Sequence, residues 1–201
     1  YRWAGLDPAN GNPMGYLNGA VSNNWAAITG NQASLTDDMR YIGTQFPLFS
    51  GSMGNEISYK AFTISARVSF KFNYYFKRES INYSTLMQTL SGHSDYHNRW
   101  QVSGDEKNTS IPSFSYPLNS ARDAFYNSSE ILVEKGDHIR LQYVNISYSF
   151  NPQKTPFKKL QLYGVVNNLG IIWRANKQNL DPEFPGIRPS ISYSIGTNIS
   201  F

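Results

Sequence analysis

The chain has 201 residues and a formal net charge of +4, with charged side chains at 16% and aromatic ones at 15%. It contains no cysteine, which excludes disulfides, Cys-ligated zinc, iron–sulfur clusters and thiol catalysis. The basic residues are scattered and leave no nucleic-acid footprint. No stretch reaches the roughly 18 apolar residues of a membrane-spanning helix, which excludes a helical membrane protein but not a membrane barrel.

Tyr, Phe, Ser and Asn are plentiful, a mixture suited to strands and turns. Residues 1–47 read as a long loop. Any export signal is expected upstream of Tyr1. Within this loop Asp7-Pro8-Ala9-Asn10-Gly11-Asn12 faintly suggests a calcium loop. It lacks the spaced acidic residues and closing Glu of an EF-hand, and reads as a turn.

Over 48–59, Phe49, Gly51, Met53, Asn55, Ile57 and Tyr59 alternate with Ser50, Ser52, Gly54, Glu56 and Ser58. Over 62–76 the even positions run Phe62, Ile64, Ala66, Val68, Phe70, Phe72, Tyr74 and Phe76. The odd positions are polar and include Arg67 and Lys71. Period two predicts strands, and Lys60-Ala61 between them predicts a hairpin. The second strand exceeds the 9–11 residues that a tilted membrane strand needs. In a soluble sandwich its apolar face would pack on another sheet with Arg67 and Lys71 in water, whereas in a barrel that face meets lipid and Arg67 and Lys71 line a wet lumen. The strand alone does not decide, and its length and neighbours favour the barrel.

Residues 77–138 form a second long loop. His93 and His97 within it flank Asp95, but a metal site needs a further ligand in definite geometry, and a solvated loop is the simpler reading. The third strand, 139–150, begins with Ile139, Leu141 and Tyr143 on one face. It continues with Val144, Ile146, Tyr148 and Phe150, so the phase slips near Tyr143-Val144. One extra residue, a β-bulge, would restore the facing. The fourth strand covers 160–167 after a short connection at 151–159. A third long loop spans 168–189. The fifth strand, 190–201, alternates to the terminal aromatic Phe201, a candidate assembly signal. Tyr74, Tyr75 and Tyr143 are candidates for an aromatic girdle at the lipid headgroups.

Short connections fall at one end of the sheet and long ones at the other, as in an outer-membrane barrel with short periplasmic turns and long extracellular loops. Five strands cannot close, since the smallest such barrels have 8. The fold class is therefore all-β, the C-terminal five-strand part of an antiparallel up-and-down transmembrane β-barrel in a Gram-negative outer membrane.

The chain also resembles the C-terminal part of the SusC/RagA family of TonB-dependent outer-membrane transporters of Bacteroidetes. The resemblance rests on an ordered set of stretches: Tyr1–Leu17 (YRWAGLDPANGNPMGYL), Gly51–Phe62 (GSMGNEISYKAF), Asn73–Tyr83 (NYYFKRESINY) and His93–Glu106 (HSDYHNRWQVSGDE). It continues through Phe125–Leu141 (FYNSSEILVEKGDHIRL), Tyr163–Lys177 (YGVVNNLGIIWRANK), Leu180-Asp181-Pro182 and Ser194–Phe201. It implies a barrel of about 22 strands, as in large plugged transporters, with the plug outside this chain. It further implies uptake of oligosaccharides or oligopeptides delivered by a SusD-like surface lipoprotein, energised through TonB.

No catalytic set is evident: Ser, His and Asp abound in the loops but nothing fixes their geometry. The chain is read as a non-enzyme with no cofactor and no metal. The N-x-[ST] triplets at Asn82, Asn108, Asn127, Asn145 and Asn198 read as turn and polar-face residues rather than glycosylation sites. Candidates for substrate or partner contact are Arg99, Trp100, Trp173, Arg174 and Asn176, expected exposed in the outer loops, because aromatic faces stack on sugars or clamp peptides while guanidinium and amide groups bind their polar edges. A passive porin-like channel is the alternative function. A soluble all-β carbohydrate-binding module is a more distant one.

Overall fold

The computed structural model describes residues 1–32, 37–150 and 156–201. Of the short connection expected at 151–159, residues 151–155 lie outside the described residues, as do 33–36 of the first loop. In chain order the strands are β1 (Gly5–Leu6), β2 (Pro13–Leu17), β3 (Ala20–Ser22), β4 (Phe49–Tyr59), β5 (Phe62–Phe72), β6 (Tyr75–Lys77), β7 (Val133–Lys135), β8 (His138–Phe150), β9 (Lys159–Arg174) and β10 (Ser192–Ser200). The α-helical segments are α1 (Trp25–Ala27), α2 (Tyr83–Thr89) and α3 (Ser120–Asn127). The chain divides into two units, one of Tyr1–Gly43 with Lys77–Glu134 and one of Thr44–Phe76 with Lys135–Phe201.

The first unit is built from the two segments read as long loops, and it has a core of its own. Ile81, Tyr83, Ile111, Tyr126 and Leu132 are buried together, with Trp3, Leu86 and Tyr96 packed against them. The helices begin where Asn residues can cap them. Asn82 accepts from the Thr85 N–H and Asn119 from the Arg122 N–H, satisfying donors that a helix start leaves orphaned. Trp3 stacks on the fully buried Phe125, with ring centroids 6.3 Å apart. Stretches that lack period two are thus ordered by aromatic packing and caps, a device that periodicity cannot report.

The second unit is a five-stranded antiparallel sheet in the order β10-β9-β8-β5-β4. The register keeps like faces together. Ile57 pairs with Ile64, Ile64 with Ile146, Ile146 with Gly164 and Gly164 with Ile195. One row in from these, Ser65 pairs with Asn145 and Ser147 with Tyr163 on the other face. On that face hydroxyls and amides bond across strands: Gln142 Nε2 to Ser69 Oγ at 2.6 Å, Gln161 Nε2 to Ser147 Oγ at 3.1 Å and Asn198 Nδ2 to Gln161 Oε1 at 3.2 Å.

The apolar face has no such partners. Met53 is 69% exposed, Tyr193 75% and Ile195 92%. Fully burying one such side chain gains roughly 1.5–3 kcal/mol, so a contiguous face left in water is strongly unfavourable. The sheet needs an apolar environment against that face.

The phase slip in the third strand is a bulge. Arg67 pairs with Tyr143 and Val68 with Leu141, which leaves Gln142 as the extra residue. Two expectations are corrected. The run 62–76 breaks after Phe72, because Asn73 takes φ 59° and its N–H is held by Asp137 at 2.7 Å. The fourth strand extends to Arg174 instead of stopping at 167. Asn168 and Gly170, at φ 58° and 95°, fall in the stretch expected as a long loop but here form an irregularity within the strand. Positive φ is tolerated best by Asn and Gly.

Tyr74 is buried, so it is not a girdle residue, and Tyr143 lies on the polar face with the Arg67 guanidinium over its ring at 5.6 Å. The Tyr74 ring packs directly over Gly136, where an added Cβ would fall inside the ring. Gly136→Ala in the full-length protein is therefore expected to cost about 1–3 kcal/mol by overpacking. A lowered thermal midpoint would record this. Gly186→Ala, where the added Cβ meets nothing, is expected to leave the midpoint unchanged.

Candidate functional site

At one end of the polar face, alternation and the Gln142 bulge bring Lys71, His138 and Arg140 to the same side of the sheet. The segment after β9 returns over them and supplies two carboxylates. Arg140 Nη2 donates to both oxygens of Asp181, at 2.7 and 2.8 Å, and its Nε donates to Glu183 Oε2 at 2.8 Å. Lys71 Nζ reaches Glu183 Oε1 at 2.6 Å. The His138 Nε2–H donates to the same carboxylate at 3.3 Å, while its Nδ1 lies 3.1 Å from Tyr74 Oη. Arg140, Asp181 and His138 are all buried.

Burial by itself raises the pKa of Glu183, but the hydrogen bond from Lys71 and the charges of Lys71, Arg140 and His138 outweigh it, so the carboxyl is held below its ordinary value. Tyr74 is pushed above the usual phenol range, chiefly by burial and then by the charges of Glu183, Asp181 and Asp137.

The returning segment is a stitched turn. Arg174 Nη1 donates to Asn179 O at 2.7 Å and Leu180 O at 3.2 Å. The Asn176 amide brackets Leu180, donating to its carbonyl at 3.1 Å and accepting from its N–H at 2.9 Å. Arg188 Nη2 donates to Asn179 O at 2.9 Å. Between this turn and β9 lies a cavity of ≈ 240 Å³, lined by Arg140, Gly170, Ile171, Arg174, Asp181 and Arg188 among others.

The contact candidates from sequence separate. Arg174 lines this cavity. Asn176 is buried and spends its amide on the turn. Trp173 lies in β9, not in a loop, opposite Ile139 on the apolar face. It meets Phe72 edge-on at 6.1 Å. Arg67 and Lys71 both lie on the polar face.

In the first unit, Arg99 and Trp100 border a cavity of ≈ 300 Å³ with Asn10, Gln101, Ser113 and Phe114. Trp100 is corrected from an exposed aromatic to a buried one. Its ring sits over Gly11, which leaves no room for a Cβ. The Arg99 guanidinium lies 4.1 Å from the Tyr96 ring centroid. His93 and Asp95 do structural work: His93 Nδ1 accepts from the Asp95 N–H at 3.1 Å, and Asp95 pairs with Arg78 at 2.7 Å. The Asp7 carboxylate closes its own turn, accepting from the Ala9 N–H at 2.9 Å and the Asn10 amide at 2.8 Å.

The chain shares its fold with part of a peptide importer. It superposes on a chain of the RagAB peptide importer in its open-open state with a TM-score of 0.68 and 19% identity, covering 100% of this chain and 22% of that one. A structure of the RagAB peptide transporter gives the same values. The closed-closed state gives 0.62 at 19% identity, over 98% of this chain and 22% of that one. This chain therefore spans about a fifth of the length of the chains it matches. No protein-family model matches the sequence, and no curated protein matches it. The shared fold is the one that the resemblance to the SusC/RagA family implies.

Sequence reasoning missed His138, Arg140, Asp181, Glu183 and Arg188. Arg140 was reachable, since alternation counted through the bulge puts it on the face of Arg67 and Lys71. The carboxylates were not, because the loop that carries them has no period.

Breaking a buried, hydrogen-bonded ion pair costs about 3–5 kcal/mol, whereas a partly exposed lysine contact is worth at most about 1 kcal/mol. Arg140→Met is expected to loosen the returning segment far more than Lys71→Met. Limited proteolysis of the full-length protein, scored by cleavage between Phe184 and Ile187, is the measurement.

The pH dependence has a definite sign. A carboxyl whose folded pKa is depressed contributes stability that is complete above its unfolded value and is lost as pH falls through the folded value. Protection of the 184–187 segment is thus expected to persist down to the ordinary Glu value of 4.5 and to disappear only below it. Glu183→Gln is expected to flatten that transition.

Proposed function

We propose that this chain is the C-terminal strand segment of a transmembrane β-barrel of about 22 strands, belonging to an outer-membrane importer of the SusC type. The observation that carries the reading is the exposed apolar face kept in register across all five strands, interrupted by Asn55 and Thr197, opposite a face of bonded hydroxyls and amides. Lipid is the environment that such a face fits, with the other face turned to a wet lumen. Among the described residues both outer strands, β4 and β10, pair on one side only, and unpaired edges are a liability that barrel closure abolishes.

On this reading the long loops lie outside the membrane on the extracellular side, and Phe201 is the candidate assembly signal. Phe72, Trp173 and their neighbours form an aromatic girdle. Arg67 and Lys71 line the lumen. The importer takes up oligopeptides or oligosaccharides handed over by a SusD-like lipoprotein and draws energy through TonB by way of regions beyond this chain. It works by binding and gated passage, with no covalent chemistry. The shared fold with RagAB favours peptides among these substrates.

The membrane reading is tested by charge placement. A cation on the lipid face near the bilayer midplane costs about 2–4 kcal/mol in such barrels. Ile146→Arg, in the middle of β8, is expected to reduce the heat-resistant folded form in the outer-membrane fraction sharply. Asn145→Arg, one residue away on the polar face, is expected to be tolerated. Equal assembly of the two variants, or recovery of the full-length protein in the aqueous fraction without detergent, would overturn the proposal.

A further inference from the structure

We propose that the cavity between β9 and the returning segment binds a carboxylate group through Arg174 and Arg188. The inference deepens the importer reading by assigning a chemical preference to one place on the polar face, and it rests on that reading for the source of the ligand.

The charges around the cavity do not balance. Asp181 faces it, but both carboxylate oxygens are taken by Arg140 Nη2, and one also accepts from the Glu183 and Phe184 N–H groups. Glu183 is shared by Lys71, His138 and Arg140. No carboxylate is left for Arg174 or Arg188, and neither forms a salt bridge among the described residues. Their hydrogen bonds go to the neutral carbonyls of Asn179 and Leu180. Those bonds occupy one terminal nitrogen of each fork, while the remaining donors of each guanidinium have no hydrogen-bond partner among the described residues. Two pre-placed forks with spare donors match the planar, bidentate geometry of a carboxylate.

The other wall suits the group that would carry the carboxylate. Gly170, at φ 95°, has nothing within 4 Å of where a side chain would start. Ile171 and Ile191 add apolar surface. The volume of ≈ 240 Å³ lies below the roughly 300–1,000 Å³ of pockets that enclose drug-sized ligands. It fits one terminal residue or one acidic sugar, not a chain. Headgroups of surrounding lipid are a poor match, because Arg174 pairs with His138 and Ile171 with Arg140 in the register, on the polar face.

The test uses the purified full-length importer and neutral–acidic probe pairs: N-acetyl-dialanine against its amide, N-acetyl-aspartyl-alanine amide against the asparaginyl analogue, and methyl glucuronide against methyl glucoside. The expected result is a preference of roughly tenfold or more for the acid within at least one pair. Which pair shows it identifies the source as a peptide C-terminus, an acidic side chain or a uronic acid. Arg188→Gln, an exposed residue with one backbone bond, is expected to remove the preference. Ile187→Ala, which is 92% exposed, is expected to keep it, separating loss of the guanidinium from disturbance of the loop. Equal binding within every pair, no binding of any probe, or an undiminished preference in Arg188→Gln would overturn the proposal. Continued peptide uptake by cells alongside such a result would mean that this inference alone has failed and the importer reading stands.

Discussion

Everything in the second unit depends on keeping two faces of one sheet chemically separate. A strand turns successive side chains to opposite faces, so a slip of one residue exchanges the faces completely. Across five strands the register places Ile opposite Ile or Gly and Ser opposite Asn or Tyr, with Asn55 in an apolar row and Val165 in a polar one as exceptions. The bulge at Gln142 is what maintains this. Without the extra residue, Ile139 and Leu141 would stand on the polar side, and Arg140 would stand among Val68, Phe70 and Trp173. The bulged side chain is itself anchored, its amide donating to Ser69. A bulge also strengthens local twist, and it sits close to where the charged cluster begins.

That placement explains the character of the cluster. Lys71, His138 and Arg140 are presented by strands, whose positions are fixed by the ladder. Asp181 and Glu183 come from a loop and are fixed by the cations they meet. The interaction therefore works in one direction: rigid strands hold the cations, and the cations hold the loop. Asn176 and Arg174 complete the arrangement by bonding the loop to itself. The carbonyl partners of Arg174 and Arg188 belong to the same stitched turn.

The sheet was legible in sequence because period two is a strong and local signal. Phe62, Ile64, Ala66, Val68, Phe70 and Phe72 need no partner to be recognised as one face, and even the phase slip of the third strand was visible as a break in facing. The misreadings have a common cause. Asn167-Asn168-Leu169-Gly170 has the composition of a turn, yet positive φ at Asn168 and Gly170 serves equally well to kink a continuing strand. Trp100 and Asn176 looked exposed because they lie in segments without period. Their burial is decided by Gly11 in one case and the Leu180 backbone in the other, and no local pattern carries that information. The first unit makes the point most fully: its core joins Trp3 to Tyr126 and Ile81 to Ile111, contacts that link stretches far apart in the chain.

The fold is shared with chains only 19% identical in sequence, and the two-faced sheet accounts for how so little identity suffices. A face toward an apolar environment asks only for apolar volume at alternate positions, and a bonded polar face asks only for short hydroxyl or amide side chains. Many sequences meet both demands. Charged groups on the polar face are a different matter, because each must be neutralised or be left available for something else. Here Lys71 and Arg140 are neutralised by carboxylates and Arg174 and Arg188 are not. A passage lined by unpaired cations alone would hold anionic cargo too firmly, since transport needs binding weak enough for release. Two guanidiniums already sharing their donors with carbonyls, beside a cluster whose charge is spent, provide a modest, localised attraction instead. On the proposed importer reading, that is the physical argument for taking the cavity as a point of recognition and not as a trap.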